Sequence, residues 1–126
     1  MQIVEIMEKT FLAESGDIAL YLAMSQKAAD EGHSDIAHYL YNVAMDEARH
    51  AAEFAFLLGK VKDTRSNVSM MLEDEIKSEK DRGQAANIAL AEGNKEAFQY
   101  FEKSMYDEIK HKAGLKVILS KLKEKD

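Results

Sequence analysis

Two stretches place a glutamate three residues before a histidine: Glu47-Ala48-Arg49-His50 and Glu108-Ile109-Lys110-His111. On an α-helix, residues three apart share a face, so each stretch can aim a carboxylate oxygen and an imidazole nitrogen at one point. That is a chelating geometry for a divalent cation held by oxygen and nitrogen. The chain has no Cys, which excludes thiolate metal sites, iron–sulfur clusters, disulfides and a cysteine nucleophile. One such motif alone reads most simply as a surface pair, but these two lie 61 residues apart and the chain around them keeps the same offset. Glu75 pairs with Glu14, Ala89 with Ala28, Glu92-Gly93 with Glu31-Gly32, Tyr100 with Tyr39, Asp107 with Asp46 and Leu119 with Leu58, without a gap. The chain is a duplicated unit, and Glu14 and Glu75 belong to the repeat.

The elements that position these residues are helices. Zero Pro, six Gly and an abundance of Ala, Leu, Lys and Glu leave little to interrupt them. Apolar residues recur at three- and four-residue intervals from Ile3 through Ile6, Met7, Phe11, Ile18, Tyr21 and Leu22 towards Ser25, the stripe of an amphipathic helix. It should stop near Gly32, with Ser34 capping a second helix over Asp35 to Leu58. The inner side of that helix is expected to carry Ile36, Leu40, Val43, Ala44, Phe54, Leu57 and Leu58. A polar link, 59–66, precedes a third helix from Asn67 to Ala91. Gly93-Asn94 then repeats the Gly-then-cap turn before a fourth helix, Lys95 to Leu122. The expectation is one domain, 1–126, made of hairpin 1–58, link 59–66 and hairpin 67–126. Glu14 and Glu47 stand about equally far from the Glu31-Gly32 turn, as Glu75 and Glu108 do from Glu92-Gly93, so all six side chains can meet in one layer.

Carboxylates in an apolar core carry a desolvation cost that only cations or protons relieve, and two divalent ions would neutralise four glutamates. One Glu from each of two helices plus a Glu-x-x-His from each of the other two is the ligand set of ferritin-like di-iron bundles. The expected fold is therefore all-α, a ferritin-like four-helix bundle of two repeated hairpins. The expected metal ligands and catalytic residues are Glu14, Glu47, His50, Glu75, Glu108 and His111.

At these residues the chain resembles the rubrerythrins. Phe11-Leu12-Ala13-Glu14-Ser15 with Tyr21, the Glu31-Gly32 turn, and Asp46-Glu47-Ala48-Arg49-His50-Ala51 with Phe54 are similar to that family's first hairpin; Asn67 to Glu75, Glu92-Gly93 and Glu108-x-x-His111 are similar to its second. The resemblance implies two iron ions, with manganese or a mixed pair as the alternative, and reduction of hydrogen peroxide to water in oxidative-stress defence. Three departures qualify it. With no Cys here for a rubredoxin domain, electrons must come from an external donor, rubredoxin-like or a flavoprotein. The family's further carboxylate three residues after Glu75 is replaced by Ser78, with Glu79 next to it. The link is also short. Glu47 to Glu75 leaves barely enough chain for the return crossover of a ferritin-like bundle, which favours a homodimer in which the hairpins of two copies exchange.

The remaining polar residues carry less. His33 and His38 lack a Glu three residues before them and are read as non-ligands. Tyr21 could donate a hydrogen bond to a ligand carboxylate or be ordinary core. Asp46 and Asp107 could accept an imidazole N–H or form exposed ion pairs. The methionines, Met70-Met71 among them, read as core filler. A net charge of −6 argues against nucleic acid, and the lysines from Lys116 to Lys125 suit a helix C-terminus. No apolar run reaches membrane-spanning length and the start lacks a signal-peptide core, so a cytoplasmic protein is expected. Three functions compete: peroxide reduction, a ferroxidase or iron-handling role using dioxygen, and a non-catalytic metal-stabilised helical interaction module.

Overall fold

The computed structural model describes residues 1–124, and every regular element among them is helical: α1 Gln2–Asp30, α2 Ser34–Leu57, α3 Thr64–Ala91 and α4 Lys95–Glu124. The class is all-α, consistent with a ferritin-like four-helix bundle. Lys125 and Asp126, at the end of the lysine run and of the expected second hairpin, lie outside the described residues. The chain divides into two units, Met1–Val61 and Lys62–Asp126, each a helical hairpin. No described helix is long and apolar enough to cross a membrane.

The same device ends three helices. After α1, Gly32 (φ 84°) lets the His33 N–H reach Ala28 O at 2.8 Å and the Gly32 N–H reach Ala29 O at 3.0 Å. This double closure needs a left-handed residue, which glycine adopts without a Cβ penalty. Gly59 after α2 and Gly93 after α3 repeat it.

Helix starts differ from the sequence expectation in two places. Ser34 is already helical, and His33 stands at the cap without a side-chain bond. The third helix begins at Thr64, three residues before Asn67, because Asp63 caps it: the carboxylate accepts from the Ser66 N–H (3.2 Å) and hydroxyl (2.7 Å). Those bonds to the charged form hold the Asp63 pKa below its usual value. Asn67 instead turns back, accepting from the Lys62 N–H at 2.7 Å and donating to its carbonyl at 2.8 Å. The Asn94 cap is as expected, its side chain accepting from the Ala97 N–H at 3.0 Å.

In the first hairpin α1 and α2 meet along alanines. Ala37, Ala44 and Ala51 recur every seventh residue on α2 and are buried with Ala28 of α1. The small side chains let the backbones approach closely enough for the Ser25 hydroxyl to donate to Ala37 O at 2.7 Å. In the second hairpin Ala86 and Ala89 are buried. There Gly83 faces Met105, whose sulfur would stand 3.2 Å from an added Cβ. Their repeat partners are Leu22 and Ala44, so the large and small residues have changed sides.

Among the described residues, no side chain larger than alanine is buried. This corrects the expected core. Ile3, Ile6, Leu22, Ile36 and Leu57 are exposed, and Met24, Met45, Met70 and Met71 are 38–49% exposed rather than filling a core. Two helices alone bury only the seam between them, and that seam is taken by small residues.

Candidate metal centre

Each hairpin gathers one carboxylate from its first helix and a Glu-x-x-His from its second. Glu14 of α1 meets Glu47 and His50 of α2, the three offering ligand atoms within 4.8 Å of one another. Glu75 of α3 meets Glu108 and His111 of α4 in the same way. His50 Nδ1 stands 3.9 Å from both Glu14 Oε1 and Glu47 Oε1, and His111 Nδ1 stands 3.5 Å from Glu75 Oε2. The carboxylates are the less exposed members: Glu14 and Glu75 side chains are 18% and 15% exposed, whereas those of His50 and His111 are 49% and 58% exposed.

One oxygen in each cluster tests whether a cation fits. Glu14 Oε2 and Glu75 Oε2 are buried without a hydrogen-bond partner. An unsatisfied buried carboxylate oxygen is costly, and repeat-related residues share the same deficit. A divalent ion beside each would answer it, with oxygen and imidazole donors suited to iron, manganese or zinc. The six residues singled out by spacing therefore come together three at a time, one trio on each hairpin.

The neighbouring residues separate clearly. Glu79 does not join a cluster; its Oε2 accepts from Lys112 Nζ at 2.6 Å, in a pair only a quarter exposed on either side. Lys112 is the residue that motif reading missed; it and Glu79 stand at different distances from the Glu92-Gly93 turn, so no spacing along the sequence pairs them. The repeat partners of that pair are Ile18 and Ala51, so the second hairpin carries charge where the first is apolar. Ser78 is half-buried and stands in no cluster. Asp46 forms the exposed ion pair, with Arg49 Nη2 at 2.9 Å. His33 and His38 are exposed and join no cluster among the described residues. Tyr21 is half-buried on α1. Beside the second trio an open groove of about 440 Å³ runs along α3 and α4, lined by Met71, Glu75, His111, Gly114, Leu115 and Ile118.

The chain is similar to known proteins over most of its length. The family model described as Rubrerythrin matches residues 5–119. An uncharacterized protein of Methanocaldococcus jannaschii is 36% identical over 115 residues, covering 90% of this chain and 82% of that one. Reverse rubrerythrin-1 of Clostridium acetobutylicum is 32% identical over 110 residues, covering 86% of this chain and 54% of that protein. With the match spanning both hairpins and all six clustered ligand candidates, the chain belongs to the rubrerythrin family.

Proposed function

We propose that the two trios together form one di-iron centre and that the protein reduces hydrogen peroxide to water. The observation carrying this reading is the repeated trio with its orphaned buried oxygen, Glu14 Oε2 in one hairpin and Glu75 Oε2 in the other. Two bound iron ions would supply the two electrons that convert hydrogen peroxide, with two protons, into two waters. The chain's residues would hold them: Glu14, Glu47, Glu75 and Glu108 as the carboxylate donors, and His50 and His111 as the nitrogen donors. The four carboxylates balance four positive charges, which keeps the loaded centre neutral. A donor of the rubredoxin or flavoprotein class would return the electrons.

Anaerobic metal analysis followed by stopped-flow mixing tests this. The expected result is two iron ions per set of six ligands and fast oxidation by peroxide, with slower oxidation by dioxygen. Faster reaction with dioxygen and retained ferric iron would assign iron handling instead. Two bound ions that react with neither oxidant would leave a metal-stabilised interaction module.

A further inference from the structure

We infer that Arg82, held in place by Ser104, is a fixed positive charge that loosens divalent-metal binding at the proposed centre and raises the reduction potential of an iron pair bound there. The inference rests on the centre proposed above. Helical register places the charge. Arg82 lies seven residues after Glu75 on α3, two turns along the same face, and a helical side chain leans back towards the start of its helix, here towards Glu75. Ser104 lies one turn before Glu108 on α4, about 6 Å along the axis. The Arg82 Nε–H donates to the Ser104 hydroxyl at 3.1 Å, a part-buried hydrogen bond from α3 to α4. The guanidinium therefore stands about one to two turns from the trio of Glu75, Glu108 and His111.

No neighbouring acid cancels that charge. Among the described residues Arg82 forms no ion pair; the adjoining Asp81 is exposed and the Ser104 hydroxyl is neutral. Glu79, one turn after Glu75, is already neutralised by Lys112, and the half-buried Ser78 brings no charge. Lys110 borders the groove beside His111 but is exposed, so water screens it. A half-buried guanidinium is screened less, and the hydrogen bond to Ser104 fixes where its charge sits.

The two hairpins differ at this place. Subtracting the 61-residue offset puts Tyr21 in the position of Arg82 and Val43 in that of Ser104. The first hairpin thus has a phenol and a valine where the second has a cation and the hydroxyl that orients it. Both hairpins gather their trios all the same, so the charged pair is an addition to one half and not a requirement of the hairpin. Coulomb's law fixes the sign of its effect. A positive charge near the trio opposes a divalent cation and opposes a trivalent one more, so ferrous iron is favoured over ferric.

Manganese(II) titration of the metal-free protein, which needs no oxidant, reads the first effect. Arg82→Gln should bind the ions about tenfold more tightly than the parent, whereas Arg82→Lys, which keeps the charge, should stay within about twofold of it. Ser104→Ala removes the same hydrogen bond without removing the charge. It should lower the melting temperature as Arg82→Gln does, with manganese affinity near the parent's. Anaerobic redox titration of the iron-loaded protein reads the second effect: the midpoint potential should shift negative in Arg82→Gln and hold in Arg82→Lys. Unchanged affinity or potential in Arg82→Gln, or equal changes in Arg82→Lys or Ser104→Ala, would assign Arg82 to helix packing and overturn the inference. A parent that shows these differences but does not reduce peroxide defeats the function above and leaves the inference standing. A parent that binds no ions defeats both.

Discussion

At the residue scale, the orphaned oxygens of Glu14 and Glu75 make opposite predictions for metal-free and metal-loaded protein. Glu14→Ala removes a carboxylate whose buried Oε2 has no donor, so the metal-free variant should be more stable than the parent by about 1 kcal/mol. With iron present the order should reverse, since a ligand is gone. Thermal melts with and without metal check both signs. Within the trios, Glu47→Ala or Glu108→Ala should abolish binding of a two-metal unit, whereas His50→Ala or His111→Ala should mostly lose one ion; metal content per chain reads this directly. Glu79→Ala leaves the half-buried Lys112 ammonium without its partner. Its expected effect is therefore a stability loss of about 1 kcal/mol with the peroxide rate little changed. Ser78→Glu should do the reverse, altering the rate more than the melting temperature.

At the element scale, the caps decide where helices begin and how the link is held. The Asp63 carboxylate has its pKa lowered by the Ser66 hydroxyl and N–H. A lowered folded-state pKa adds stability that is fully present above the unfolded value, near 4, and lost as pH falls through the lower folded value. Denaturation from pH 7 down to pH 2 should therefore show an acid-side loss that is smaller in Asp63→Ala than in the parent. Gly32→Ala forces a Cβ into a left-handed turn and should cost about 1 kcal/mol. Gly83→Ala is different, because the helical conformation favours alanine and only the flexible end of Met105 stands in the way. Pairing Gly83→Ala with Met105→Leu tests whether that contact sets the spacing of α3 and α4.

At the scale of the whole molecule, burial among the described residues is limited to alanines, so the metal ions proposed above would add substantially to the stability. Metal saturation at a hundred times its dissociation constant should add about 2.7 kcal/mol to the folded state. Removing metal with a chelator should accordingly lower the melting temperature reversibly, and re-addition should restore it. Exchange of amide hydrogens in α1 to α4 should rise in parallel, because each hairpin's outer apolar surface lies open.

The sequence by itself determined the repeat, the four helices, the glycine closures and the six ligand candidates. All of these follow from spacing along one helix or from symmetry about one turn, and such local rules survive folding. Tertiary structure decided what depends on neighbours distant in the chain. It showed that Glu79 is claimed by Lys112, that Asp63 starts α3 before Asn67, and that the apolar stripes stand largely exposed beside alanine seams. A hydrophobic period says which face of a helix seeks cover but not which surface provides it, because burial belongs to a pair of surfaces and a sequence pattern describes only one of them.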